Sequence, residues 1–223
     1  MHAIQVSHFS DLLCVWAYVA QIRFDELQTE FAEQIDLQYH LFPVFGHAAK
    51  KIDRQWENRG GRFGYAKHVR HVVKQFGHVP LHEDIWVNDT PESSLPSHLY
   101  LSAIKLLEKR QQLPGGCFEQ MAWAFRQAFF AECQNIAKTP VLNQLLEQHQ
   151  LPVDGILQCI HQGEAYAILS EDMKKATDLN IKASPTLVFN DDRQRLTGNV
   201  GYRIIEANVR ELLNTPADQN SWC

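Results

Sequence analysis

A strand that turns into a helix across a single cysteine constrains this chain more than any other feature. Ala3-Ile4-Gln5-Val6 alternates apolar and polar side chains, and a first strand is predicted over residues 3–7. After the polar cluster Ser7-His8-Phe9-Ser10-Asp11, the side chains of Trp16, Val19, Ala20, Phe24 and Leu27 recur at helical spacing, which predicts a helix over about 15–32. Cys14 falls at the junction, at or near the first helical turn. Free backbone N–H groups and the positive end of the helix dipole favour a thiolate there, so a depressed thiol pKa is expected. An inert apolar cysteine beneath the first strand fits the same position, and the junction alone does not choose between the two. Ile35 to Phe42 alternates again as a half-buried strand that Pro43 closes. Strand, helix, strand in this space implies a right-handed crossover and two parallel neighbours, the opening of an α/β domain.

The character changes at Gly46. Lys50 to Trp56 reads as a helix broken by Gly60-Gly61, and Tyr65 to Phe76 is periodic again. A polar loop follows, with Pro80 and the turn signal Asn88-Asp89-Thr90-Pro91. Helices are then predicted over Ser97–Lys109, Cys117–Phe130, Thr139–Gln148 and from Pro152 to about His161, the third opened by a cap and a first-turn proline. With no strand candidate in it, the segment 46–161 reads as a helical domain inserted into a discontinuous α/β domain of residues 1–45 and 162–214, leaving a tail at 215–223. Glu164 to Leu179 leads back as a helix, and Ile181 to Asn190 reads as an edge-like strand containing Pro185. A turn at Asp191-Asp192, a return strand over Gln194–Gly198 and a last helix over Tyr202–Leu213 complete the order.

Composition narrows the function classes. A net charge of −5 without a dominant basic stripe gives no reason to expect nucleic acid, and no stretch is long enough in apolar residues to span a bilayer. No leader pattern opens the chain, so a cytoplasmic protein with no membrane partner is expected. Five cysteines, at 14, 117, 133, 159 and 223, show no C-x-x-C spacing, so free thiols and no structural zinc are expected. Cys117, Cys133 and Cys159 read as small core residues of amphipathic helices. The pairs His68 and His71, and His78 and His82, have helix-compatible spacing but no acidic or cysteine partner at a matching offset, so they read as surface histidines and no metal is assigned. His8 is a structural or solvated histidine, or a base that folds over the sulfur. Trp16 is a candidate for lining a substrate groove and Tyr18 for the core. Lys50, Lys51, Arg54, Arg59, Arg62, Lys67 and Arg70 form a basic segment, a solvated helical face or an attractor for an anionic substrate. Trp56 with Gly60-Gly61 is a candidate lid.

Three stretches taken together resemble the DsbA-like thioredoxin-fold family: Asp11-Leu12-Leu13-Cys14-Val15-Trp16-Ala17-Tyr18, Ala183-Ser184-Pro185-Thr186-Leu187-Val188-Phe189, and Gly198-Asn199-Val200-Gly201-Tyr202-Arg203. The chain looks most like the FrnE-type DsbA oxidoreductases, which shade into 2-hydroxychromene-2-carboxylate isomerases and kappa-class glutathione transferases. The resemblance implies an α/β thioredoxin-like fold with a helical domain inserted after the first strand-helix-strand unit. It implies Cys14 as attacking nucleophile and a cis bond before Pro185, which leaves the Ser184 backbone beside the sulfur to pair with a peptide or glutathione. Pro185 as the mere start of an edge strand is the plainer alternative. Where the family's dithiol form has its second cysteine stands Ala17, so Cys14 needs glutathione, another protein's thiol or a distant cysteine such as Cys223 for turnover. The glutathione-using branch carries an aspartate shortly before the last helix; Val200 or Tyr202 stands there, and Asn199, Gly201 and Tyr202 are candidates for holding an anion or thiol ligand at the helix N-terminus.

The expectation is a thiol-disulfide oxidoreductase with one active-site cysteine, acting on a disulfide-containing protein, peptide or small thiol. It needs no bound cofactor and has glutathione as a candidate co-substrate. The alternative is a glutathione-dependent isomerase or transferase in which Cys14 orients a bound thiol; a binding protein without turnover is the third reading. The glutathione branch also suggests a homodimer.

Overall fold

The change from alternating to helical periodicity at Cys14 is where the backbone itself changes course. In the computed structural model, which describes residues 3–214, strand β1 covers Ile4–Ser10 and helix α1 covers Val15–Phe31. One turn of 3₁₀-helix at Ala32–Gln34 reverses the chain into β2, Ile35–Leu41. β1 and β2 run parallel from Ile4 opposite Ile35 to Ser10 opposite Leu41. The helical block follows as α2 (Ala48–Trp56), α3 (Gly61–Lys74), α4 (Leu95–Lys109), α5 (Cys117–Phe130), α6 (Thr139–Gln148) and α7 (Val153–His161). Helix α8 (Glu164–Asp178) returns to the sheet, and β3 (Thr186–Phe189), β4 (Gln194–Thr197) and α9 (Tyr202–Asn214) close the fold. The strand order is β2-β1-β3-β4, with β3 antiparallel to both its neighbours. This is the mixed α/β thioredoxin-like arrangement that the sequence predicts.

Several boundaries differ from the sequence reading; β1, expected over residues 3–7, continues to Ser10 through the residues read as a polar cluster beyond it. The strand expected over 181–190 is confined to Thr186–Phe189, and it lies inside the sheet between β1 and β4. Ile181 is spent on ending α8, its N–H bonded to the Ala176 carbonyl and its side chain buried, and Pro185 has no N–H for a ladder. Helix α3 starts at Gly61 and not at Tyr65, because the left-handed Gly60 (φ +87°) both ends the preceding turn and opens the next helix. Cys133 lies beyond α5 in a turn with φ +56°, not in a helix.

The core has three parts. Between the sheet and α1 and α9, Val6, Phe24, Leu27, Phe31, Phe189, Ile205 and Val209 pack together. On the opposite face, Phe9 and Val188 meet Ala176 of α8 and Ile181. The largest part joins the N-terminal half of α1 to the helical block, where Leu12, Leu13, Val15, Tyr18 and Val19 share one apolar cluster with Val69, Val73, Phe125, Phe129 and Phe130. Each of these large side chains contributes on the order of 1.5–3 kcal/mol by leaving water. The turn that carries Cys14 is therefore pinned by the helical block as firmly as by the sheet.

Candidate active site

Cys14 caps α1. Its backbone is extended (φ −83°, ψ 114°), its N–H bonds to the Asp11 carbonyl at 3.2 Å, and its own carbonyl accepts from Tyr18 N–H at 3.0 Å, starting the helix. Opposite it lies the loop between α8 and β3, in which the Ser184–Pro185 bond is cis. The Cys14 thiol donates to the Ser184 carbonyl at 3.1 Å. The same serine's Oγ accepts from Asp11 N–H at 3.0 Å, so the two segments are tied at two points.

The environment of the sulfur corrects the expected depressed pKa. Cys14 is only 5% exposed, and burial pushes its thiol up. The Ser184 contact and the backbone N–H groups of Ala17 and Trp16 at the helix start pull the other way, while the Asp11 carboxylate adds to the rise. Desolvation outweighs the helix N-terminus because the donors act on a sulfur from which water has been removed. In this conformation Cys14 is a protonated thiol that donates a hydrogen bond.

Asp11 is the residue that sequence reasoning left without a role. It is fully buried; Oδ1 accepts from Leu13 N–H at 2.8 Å, and Oδ2 accepts from Phe45 N–H and Ser94 Oγ, each at 2.8 Å. His98 of α4 stands 3.8 Å from Oδ1 and accepts from Leu12 N–H at 3.3 Å through Nε2. That Nε2 accepts makes His98 a neutral ring, in line with the lowering of its pKa by burial. Tyr65 of α3 is the second residue without a sequence signal: buried, it has its hydroxyl pKa raised well above the ordinary value, first by burial and then by Cys14 and Asp11.

The other sequence candidates divide. Trp16 is half-buried and meets His68 and Phe76 edge-on, with ring centres 6.3 and 6.4 Å away. Trp56 packs at 5.5 Å on Tyr65 and 5.1 Å on His68, so α2 and α3 cover the cysteine end of α1 as one hairpin. Pro185 borders a cavity with Arg23, Leu196, Gly198 and Val200. There Arg23 donates to Asn199 Oδ1 at 2.5 Å and to the Val200 carbonyl at 2.8 Å, and the Tyr202 hydroxyl bonds to Glu30. Asn199 and Tyr202 thus already have partners, and Gly201 is exposed ahead of α9.

His8 is not solvated. It lies within β1, fully buried between Phe24 at 4.2 Å and Tyr39 at 5.5 Å, without a hydrogen-bond partner at either nitrogen among the described residues. Burial holds its pKa well below the ordinary value. His71 bonds to Gln75, His78 to the Val19 carbonyl, and His82 accepts from Asp84 N–H. Among the described residues no group of three potential metal ligands comes together. In the basic segment, Arg59 lies 4.2 Å over the Trp56 ring and Lys51 5.1 Å over Phe45, while Arg62 donates to Thr90 and Arg70 to the Glu83 carbonyl. Cys223 and the rest of the tail fall outside the described residues.

Known proteins align with this geometry. A curated relative, the ClpXP adapter protein SpxH of Halalkalibacterium halodurans, is 25% identical over 94% of this chain and 68% of its own length. The cytosolic disulfide reductase DsbM of Pseudomonas aeruginosa superposes with a TM-score of 0.68 at 19% identity, over 93% of this chain and 99% of that one. A 2-hydroxychromene-2-carboxylate isomerase does so with a TM-score of 0.65 at 16% identity, over 97% and 100%. At such identities the two superpositions speak for the fold. The DSBA-like thioredoxin domain model matches residues 5–210, and the chain belongs to that family.

Proposed function

We propose that this protein is a cytoplasmic thiol-disulfide oxidoreductase that works through Cys14 alone and draws its electrons from a small thiol of the glutathione class. The observation that carries the reading is the 3.1 Å contact between the Cys14 sulfur and the Ser184 carbonyl, at the start of α1 and beside Pro185. A bound disulfide offers a sulfur to Cys14 while its own backbone pairs with the half-buried backbone at Ser184 in place of the thiol. Cys14 loses its proton to solvent and attacks one sulfur, forming a mixed disulfide and expelling the other as a thiolate, which is then protonated. With Ala17 three residues on, no neighbour resolves the bond. One external thiol releases the bound substrate as a thiol and leaves itself on Cys14; a second frees Cys14 and departs as the oxidised dimer. Two thiols are oxidised for each disulfide reduced. The hairpin of α2 and α3 opens for the sulfur to be reached.

The test is reduction of a small disulfide or of insulin with glutathione as donor, with trapping of the mixed disulfide by mass spectrometry. Wild type should turn over and carry the adduct on Cys14; Cys14→Ser should lose both, by about a hundredfold or more in rate. Undiminished turnover in Cys14→Ser sinks the reading.

A second reading is favoured by the relative named as an adapter and by a sulfur that is 5% exposed: a protein that binds a partner without chemistry. Under it, no disulfide is reduced, and Cys14→Ser binds the partner as well as wild type.

A further inference from the structure

Helix α5 carries a buried cation, Arg126, that no carboxylate contacts among the described residues, although Asp11 acts on its charge through space. Arg126 is only 4% exposed. Its Nη2 donates to Ser10 Oγ at 3.0 Å and its Nη1 to Gln21 Oε1 at 3.2 Å, both neutral acceptors. No ion pair joins it to a carboxylate among the described residues, and its Nε has no hydrogen-bond partner. An unpaired buried guanidinium is costly, and a site that keeps one has a use for its charge. The Tyr39 hydroxyl, also buried, has no partner either. Both side chains border one small cavity, partly open to solvent and walled on its apolar side by Leu12, Leu41 and Phe118. Two donors without an acceptor thus share a small, partly apolar space. Glu119, seven residues before Arg126 on α5, lines the same cavity without pairing with it.

We propose that this cavity binds a small monovalent anion, of the size of chloride or nitrate, held by the Arg126 guanidinium and the Tyr39 hydroxyl. Glu119 shares the cavity, so a monovalent anion meets the smaller repulsion there and a divalent oxyanion about twice as much. The apolar side selects weakly hydrated ions, since a strongly hydrated one gives up more in leaving water. The cavity is lined by Ser10 and Leu12, next to the Cys14 turn, but by neither Cys14 nor Ser184, and its test reads ion binding and not disulfide exchange.

The test is thermal denaturation of the full chain in sodium chloride, bromide or nitrate, at an ionic strength held constant with sodium gluconate, whose anion is too large for the cavity. The small anions should raise Tm along a saturating curve that gluconate does not reproduce. Tyr39→Phe, which removes one oxygen, should weaken the apparent affinity by roughly tenfold. Arg126→Gln should abolish the ion-specific shift, and Glu119→Gln, which removes the competing carboxylate, should tighten binding. In crystals grown with bromide, the anomalous signal should lie against Arg126. An equal shift in gluconate, an ion-specific shift untouched by Tyr39→Phe, or water alone in the cavity of bromide crystals overturns the proposal. Should Arg126→Gln fail to fold, Tyr39→Phe and Glu119→Gln decide.

Discussion

Asp11 and Cys14 act on each other across three residues. The carboxylate orders the turn by accepting from Leu13, Phe45 and Ser94, and its charge makes ionising the sulfur harder. Replacing it with asparagine keeps the size but sets an amide N–H₂ against the donors. Asp11→Asn should therefore destabilise the fold by about 2–4 kcal/mol in urea titration. The surviving native protein should have a lower thiol pKa at Cys14, read by pH-dependent alkylation. The wild-type sign follows from the thiolate being the nucleophile: with the Cys14 pKa raised by burial, alkylation and exchange should keep accelerating with pH through and beyond the usual thiol range. A plateau already at neutral pH would contradict this. Periodicity alone places Cys14 at a helix start, because the change from period two to period 3.6 is local. Its ionisation is not legible in the sequence, because the groups that bury it lie on other elements and nothing near residue 14 announces them.

At the scale of elements, the α2–α3 hairpin depends on one close approach. A Cβ on Gly64 would stand 1.8 Å from the Arg59 carbonyl oxygen, a backbone atom that cannot swing aside. Gly64→Ala should cost roughly 1–3 kcal/mol through the forced shift of the hairpin. It should also speed alkylation of Cys14, because that hairpin carries Tyr65 and Trp56 over the cysteine end of α1. An unchanged alkylation rate together with a lowered Tm would mean that the cover lies elsewhere. The helices of this block were legible from their apolar spacing, within a few residues at each end. β3 was not, because a strand is bounded by its partners, and only the pairing of Thr186 with Phe9 and Thr197 shows where it starts.

For the whole molecule, three buried histidines set the response to acid. His8, His40 and His98 all have pKa values lowered, in each case first by burial. His8 is further opposed by Arg126 and His40, and His98 by Arg126 against the pull of Asp11 and Asp172. His40 sits between Asp172 at 2.7 Å and the Lys175 ammonium at 3.0 Å, with Lys105 also near. The unfolded chain binds these protons first, so stability is full above the ordinary histidine pKa of 6.5 and is lost as pH falls from there towards the folded values. The urea midpoint should drop between pH 7.5 and pH 5. His8→Leu, which gives up no hydrogen bond, should flatten that slope; an unchanged slope would remove His8 from the account.

Ser94 and His98, at the start of α4, reach back to the turn before Cys14, and their carrier is the segment that sequence reading treats as an insert. The small sheet with α1 and α9 is consequently no detachable module. Shortening the chain to its sheet-forming halves would strand Asp11 without Ser94, so any minimised version must inherit the start of α4 or rebuild that anchor.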